Sequence, residues 1–365
     1  MLRDPLGSMR HYGRKVINLE LKEIPMAIVG GFDVHRNQIT FDCVDTETGE
    51  LSRGEIRPVT RAQLRAWLRR FHGRQVAIAL EATTGWRFVV EELQAAGMVA
   101  HLAEPADTRA LRGPKKRAKN DREDAKHLRL LLQAGRVPES WIPPQHLQEL
   151  RALVRLRKRL IDERGAWQRR IQATLFHQGQ PRRPHLLTVD KREWVARLSL
   201  SPAGRQAVDL ALRMIDHLNQ ELGPLDGQLR HYAQQQPGCR ALMQRHYGIG
   251  PITAVTILSE QGDARRFSSS RKAVRHSGLD VSVYESDGKR APGRLSHQGP
   301  PVLRWALYEA ATTAARASSP DHPYYLLVKA KHGSGRARLA IARKLLRRAY
   351  HTLRSLGDQA LQEVA

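Results

Sequence analysis

The sequence is poor in cysteine and contains no long apolar run. Its two cysteines, Cys43 and Cys239, lie far apart in the chain, so their spacing indicates neither a disulfide framework nor a zinc site. No apolar stretch approaches the roughly 18–20 residues of a membrane-spanning helix, and the N-terminus lacks the apolar core of a signal peptide. We therefore expect a cytoplasmic protein without a membrane partner, in which mainly oxygen atoms hold any catalytic metal.

Acidic residues are outnumbered, with 36 Asp and Glu against 61 Lys and Arg, and the formal net charge is +25. An excess of this size goes far beyond what solubility requires and predicts a polyanionic partner. Nucleic acid is the favoured partner, because each phosphate that a basic side chain neutralises releases condensed counterions. An anionic membrane surface is the alternative.

The 365 residues are enough for two or three domains, and the sequence changes character at three points. Residues 1–25 form a basic extension without clear periodicity, to which we assign no function. Residues 26–142 alternate apolar strands with helices, beginning with a β-meander, which is typical of an α/β domain. Residues 143–236 predict long helices, and residues 237–365 predict a mostly helical C-terminal domain.

The long helices carry apolar residues at heptad spacing. From Val208 to Leu229 these residues step by four and three alternately, whereas an earlier run has Arg157, Arg164 and Gln168 at core positions. The pattern favours a coiled-coil arm, either antiparallel or formed between chains, and an ordinary helical bundle is the alternative. Gly223-Pro224 is expected to kink the second helix or to restart it.

Four acidic residues suggest a metal site. Asp33 lies within an apolar strand, where an isolated charge is costly, and Glu81 closes another apolar strand. Asp121 and Asp124 open a helix and lie about 60° apart on one face, although helix-opening acids are also common without any metal. Because like charges this close raise one another's pKa values, we expect divalent cations, Mg²⁺ or Mn²⁺, to neutralise them.

Two further segments predict contact with phosphate groups. Basic residues directly precede the acid-bearing helix, although such a run is often only a solvated surface. They are Lys115, Lys116, Arg117 and Lys119. Gly248 and Gly250 precede an apolar helix and predict a helix-hairpin-helix unit whose backbone amides approach a phosphate, with a plain turn as the alternative.

Taken together, these segments closely resemble the insertion-sequence-110 family of transposases, the DEDD group of bridge-RNA-guided recombinases. The resemblance runs from about Ala27 to the end of the chain. Its N-terminal motifs are Gly-Phe-Asp-Val-His around Asp33, Leu-Glu-Ala-Thr-Thr-Gly-Trp around Glu81, and Lys-Asn-Asp-Arg-Glu-Asp-Ala around Asp121 and Asp124. Its C-terminal motifs are Gly-Ile-Gly at 248–250, Tyr-Glu-Ser at 284–286 and Leu-Arg-Trp-Ala-Leu-Tyr at 303–308.

The resemblance implies a RuvC-like, RNase-H-type domain, a coiled-coil arm and a C-terminal transposase domain. By matching position, the catalytic metal ligands would be Asp33, Glu81, Asp121 and Asp124, and the nucleophile would be Ser286. The implied partners are donor and target DNA, a bridge RNA that selects both by base pairing, and further copies of the chain in a dimer or tetramer. The implied location is the nucleoid of a bacterial cytoplasm.

The sequence departs from the family pattern near the serine. Asp287 follows Ser286 where a glycine is more usual, and His297 stands where a lysine is expected. Two other functions stay open. A RuvC-like junction resolvase or nuclease would need the four carboxylates but not Ser286, and a non-enzymatic nucleic-acid-binding protein would need neither.

Overall fold

The computed structural model describes residues 27–112, 120–184, 186–282, 284–286, 289–291 and 293–364. Residues 1–25 and the basic residues Lys115, Lys116, Arg117 and Lys119 therefore lie outside the described residues. The chain divides into two compact units between Ile142 and Pro143. Of the helices that the structure describes, none combines the length and the apolar character that a membrane crossing needs.

A five-stranded sheet forms the centre of the first unit. Its strands are β1 (Ile28–Val34), β2 (Ile39–Asp45), β3 (Leu51–Ile56), β4 (Val76–Glu81) and β5 (Val99–Ala103). Their spatial order is β3-β2-β1-β4-β5. The first three strands form the antiparallel meander that the sequence predicts, and β4 and β5 add to β1 in parallel.

Helices cover both faces of this sheet, which confirms the predicted α/β class. They are α1 (Arg61–Leu68), α2 (Trp86–Ala95), α3 (Pro105–Leu111) and α4 (Asp121–Gln133). Apolar residues of α1 and α2 share a buried cluster with Phe32 and Leu80. On the opposite face, Leu128 and Leu131 of α4 pack with Ala79 of β4. Because side chains alternate along a strand, successive residues of β1 point to opposite layers.

Two features fix α4 on the sheet. Gly31 of β1 admits the helix backbone, because a Cβ there would lie 2.1 Å from the carbonyl oxygen of Ala125. Beside it, the guanidinium of Arg129 pairs with the carboxylate of Asp42, and both side chains are buried. The same carboxylate accepts a hydrogen bond of 2.7 Å from Nε of Arg53. Since breaking a buried ion pair leaves an uncompensated charge, this contact resists displacement of α4.

The second unit is mostly helical. Its helices are α5 (Gln145–His177), α6 (Val189–Arg197), α7 (Pro202–Gln235), α8 (Pro237–Arg245), α9 (Pro251–Gln261), α10 (Ser270–Ser277), α11 (Pro301–Ala314) and α12 (His322–Leu356). A hairpin of β6 (Tyr284–Ser286) and β7 (Lys289–Ala291) lies between α10 and α11 in sequence. Helix α9 is at the centre, with every residue from 254 to 261 buried. The predicted boundary between a helical arm, residues 143–236, and a C-terminal domain, residues 237–365, stays a prediction.

Helices α5 and α7 pack against each other in antiparallel directions within one chain. Arg157 pairs with Asp226, and Nη1 of Arg164 donates to Oδ1 of Asn219 at 2.9 Å. These contacts explain why polar residues occupy heptad core positions of α5. The sequence predicts a kink or a restart at Gly223-Pro224. The restart is wrong, because α7 continues as one helix through Pro224. Its buried apolar stripe against α5 offsets the hydrogen bond that proline removes.

Candidate metal centre

Asp33 and Glu81 lie near the carboxyl ends of the neighbouring strands β1 and β4. The side of the sheet where these strand ends meet is called the sheet edge below. The two strands are parallel neighbours, and their register pairs Phe32 with Leu80, so the next residues, Asp33 and Glu81, lie at the same level. Phe32 and Leu80 face the cluster beneath α1 and α2. By alternation, the two acids therefore face the layer that α4 occupies.

Helix α4 brings two more acids to this layer. Asn120 caps the helix by accepting a hydrogen bond of 2.8 Å from the backbone N–H of Glu123, so α4 begins at Asp121 as predicted. Asp121 also accepts a hydrogen bond of 3.1 Å from Nε2 of Gln38. Asp124 forms an ion pair with Arg112, and both side chains are largely buried. Each of the two predicted helix acids is thus held by a different polar side chain.

Asp33 and Asp121 come together around a histidine that the sequence analysis did not assign to the site. Nε2 of His35 lies 3.1 Å from Oδ2 of Asp33 and 3.6 Å from Oδ1 of Asp121. One ligand atom from each of these three residues lies within 4.8 Å of the other two. The available signal was spacing, because His35 follows Asp33 by two residues and side chains at that interval share a face of an extended segment.

The electrostatics of this group favour a cation. Burial raises the pKa of the Asp33 carboxyl, and the charges of Asp124 and Asp121 raise it further, whereas His35 lowers it. Burial is the main cause of this rise in pKa, and repulsion from the two α4 carboxylates adds to it. Carboxylate oxygens are the ligands that Mg²⁺ and Mn²⁺ prefer, and either ion would relieve this repulsion. The donor set therefore fits the expected ions.

The remaining two predicted ligands take different positions. Glu81 lies beside Asp33 at the strand edge, and Asp124 is engaged by Arg112. Among the described residues, neither belongs to the compact group of Asp33, His35 and Asp121. The assignment of all four acids as metal ligands stays a prediction.

Ser286 lies in the second unit, on the β6–β7 hairpin. It is the last residue of β6 and pairs with Lys289 of β7. Beyond the strands, the N–H of Ser282 donates to the carbonyl oxygen of Arg294 at 2.8 Å, which extends the ladder toward α10. The serine therefore lies at the end of a short strand, and Asp287, which follows it, is outside the described residues.

The two glycines of the predicted helix-hairpin-helix unit lie in the turn that connects α8 to α9. Gly248 has a φ of 93°, and a Cβ there would lie 2.5 Å from the carbonyl oxygen of Ala310 in α11. Glycine is required at this position by backbone conformation and by packing. Gly250 caps α9, and a Cβ there would meet no atom within 4 Å. Contact of this turn with phosphate stays a prediction.

Comparison with known proteins identifies the chain's relatives. The family model of DEDD transposases of IS110 elements matches residues 30–177, and that of the IS116/IS110/IS902 transposases matches residues 240–326. Together the two ranges cover more than half of the chain.

Individual proteins agree with the family models. A probable family 20 transposase of Pseudomonas aeruginosa is 24% identical over 78% of this chain and 83% of its own length. The transposase for insertion sequence element IS1328 of Yersinia enterocolitica is 26% identical over 79% of this chain and 84% of its own length. A putative transposase of Sinorhizobium fredii is 29% identical over 55% of this chain, which spans only half of that protein. The chain therefore belongs to the IS110 family of transposases and is an enzyme of that family.

Proposed function

We propose that this transposase cuts and rejoins DNA by transesterification, with Asp33, Glu81, Asp121 and Asp124 holding Mg²⁺ or Mn²⁺ and with Ser286 as the nucleophile. The observation that carries the metal site is the approach of Asp33 and Asp121, beside Glu81, at the carboxyl edge of the sheet. The strand order β3-β2-β1-β4-β5, with a meander followed by parallel strands, supports a RuvC-like, RNase-H-type domain.

The protein's own residues would position the ligands before any ion binds. Asp33 lies on the central strand, while Gln38 and Arg112 hold Asp121 and Asp124 by a hydrogen bond and an ion pair. When bound, divalent ions polarise phosphoryl oxygens and stabilise a leaving oxygen. Preorganised ligands of this kind lose little freedom when the cation and the phosphodiester arrive.

The serine would supply the covalent step. Its Oγ attacks a DNA phosphorus, the new O–P bond forms, and the P–O bond to the leaving deoxyribose oxygen breaks. The serine proton passes to a base, and the leaving oxygen takes up a proton to become a free hydroxyl. The resulting phosphodiester to serine conserves the energy of the broken P–O bond. A hydroxyl of another strand can therefore attack this phosphodiester, release the serine and complete the joined DNA strand.

Substitution of Ser286 tests this step. We expect Ser286→Ala to abolish the covalent protein–DNA adduct and the rejoined product, while folding and nucleic-acid binding persist. Ser268→Ala, which changes an exposed serine of the same unit, serves as the matched control and should keep both activities. Recombination by Ser286→Ala at the control rate would exclude the serine step and favour a resolvase or nuclease that uses the carboxylates alone.

A guide RNA would supply the sequence specificity. The excess of 61 basic over 36 acidic residues suits a protein that holds RNA and DNA backbones while base pairing selects the sites. Sequencing the nucleic acid that co-purifies with the protein should yield one RNA species encoded beside the gene, and its removal should stop recombination. Recombination that continues without RNA would contradict this part of the proposal.

The active assembly would contain two or four copies of the chain, because two DNA duplexes must be held together during exchange. Sedimentation of the protein with RNA and both DNAs measures this directly. A mass equal to two or four chains is expected. An active complex that contains a single chain would contradict the proposed assembly.

A further inference from the structure

His35 is the one member of the compact group at the sheet edge that has no part in the proposed carboxylate chemistry. We propose that His35 is itself a ligand, so that Asp33, His35 and Asp121 form a mixed nitrogen and oxygen site that selects Mn²⁺ over Mg²⁺. This inference rests on the proposed metal site. It adds a residue to that site and a preference among divalent ions.

The distances match one coordination sphere. Adjacent ligands around an octahedral ion at about 2.1 Å from each donor lie about 3 Å apart. Nε2 of His35 lies 3.1 Å from the Asp33 carboxylate and 3.6 Å from the Asp121 carboxylate. Both distances from the imidazole nitrogen are therefore close to the spacing of neighbouring corners of an octahedron, and the two carboxylate oxygens lie within 4.8 Å of each other.

The backbone holds the histidine in this place. The N–H of His35 donates to the carbonyl oxygen of Gln38 at 2.9 Å, which closes the turn between β1 and β2. The side chain of Gln38 in turn donates to Asp121 at 3.1 Å. One short turn thus fixes both the imidazole and the α4 carboxylate beside it.

The chemistry of the donors determines the preference among ions. Mg²⁺ favours oxygen ligands and gives up water reluctantly, whereas divalent transition metals accept imidazole nitrogen more readily. An imidazole in the site should therefore raise the affinity for Mn²⁺ more than the affinity for Mg²⁺. The competing explanation is that His35 only orients Asp33 through a hydrogen bond, in which case no nitrogen would be bound to the ion.

Pulsed electron paramagnetic resonance of Mn²⁺ added to the full-length protein distinguishes a directly bound imidazole from a histidine that only orients Asp33. We expect nitrogen modulation from a directly bound imidazole in the wild type, and we expect it to disappear in His35→Gln. His72→Gln, at an exposed histidine of the same unit, should keep it. Wild-type protein produced with ¹⁵N-histidine should show the modulation pattern of ¹⁵N in place of that of ¹⁴N. This test does not depend on the folding of any variant.

Titration gives the matching affinities. His35→Gln should weaken Mn²⁺ binding by at least about tenfold and Mg²⁺ binding by less. Mn²⁺ that binds the wild type without nitrogen modulation would overturn the role of His35 but leave the carboxylate site intact. Mn²⁺ affinity that is unchanged by Asp33→Asn would overturn the proposed metal site itself, and with it this inference.

Discussion

Asp33 lies on the central strand of a five-stranded sheet, whereas Ser286 ends a three-residue strand that pairs with one other short strand. The acids at the sheet edge are held by buried packing, by the Arg129–Asp42 ion pair and by the cap of α4. The hairpin that carries the serine depends on polar contacts at its base, such as those between Ser282 and Arg294.

The difference in rigidity between the sheet edge and the hairpin follows from the proposed role of each. Two cations can be shared only by ligands that stay within a fraction of an ångström of their places, and strands within a large sheet provide that precision. A two-stranded hairpin has little stability of its own and takes its position from its neighbours. The comparison predicts that damage to the sheet edge affects metal binding, while damage to the hairpin affects strand transfer alone.

The largest effect is expected from Asp33→Asn. Loss of a metal ligand should remove several kcal/mol of transition-state stabilisation, so the rate of DNA cleavage should fall about a thousandfold or more. Because burial raises the pKa of Asp33, the neutral amide should leave the metal-free protein at least as stable as the wild type. Glu50→Gln, at an exposed acid of the same unit, is the control for cleavage assays. Cleavage by Asp33→Asn at the wild-type rate would remove Asp33 from the site.

The next effect concerns the buried ion pair. Arg129→Met should lower the free energy of unfolding by about 3–5 kcal/mol, because Asp42 would lose its buried partner. Arg53→Met removes the half-exposed partner of the same carboxylate and should cost about 0–1 kcal/mol. Denaturant titration measures both. Equal losses from the two variants would show that α4 is not held by the buried pair.

A smaller effect is expected at Gly31. Gly31→Ala places a methyl group against the backbone of α4 and should cost about 1–3 kcal/mol, with weaker Mn²⁺ binding because the acids of α4 move away from Asp33. Gly227→Ala, in the interior of α7 with open space around it, should instead stabilise the protein by about 0.5–1 kcal/mol. Thermal unfolding compares the two, and destabilisation by both variants in equal measure would argue against the close approach of α4.

The smallest effect belongs to the hairpin. Ser282→Ala removes two hydrogen bonds of 3.1 Å between its Oγ and the backbone of Arg294, which are worth about 1 kcal/mol together. Strand rejoining should fall about fivefold. Mn²⁺ affinity should not change, and a parallel loss of Mn²⁺ binding would contradict the separation between sheet edge and hairpin.

Much of the fold follows from local sequence patterns. Apolar alternation predicts the meander, and the Asn120 cap with its following acids predicts the start of α4. Heptad spacing predicts the buried stripe of α7, although a proline inside it wrongly suggests a restart. These features need only neighbours in sequence.

The rest depends on contacts between distant residues, which one sequence does not reveal. Arg129 and Asp42 are 87 positions apart, yet they form the buried pair beneath the site. His35 has the spacing of an ordinary strand-end residue, and only the approach of Asp121 gives it a place among the acids. The polar residues at core positions of α5 are likewise explained only by their partners on α7.

The central claim is that the four acids bind divalent cations together. Anomalous scattering from crystals of the full-length protein grown with Mn²⁺ tests it most directly. We expect one or two strong peaks among Asp33, Glu81, Asp121 and Asp124, with no comparable peak in crystals of Asp33→Asn. Crystals in which Mn²⁺ is absent from this edge of the sheet, or bound only elsewhere, would contradict it.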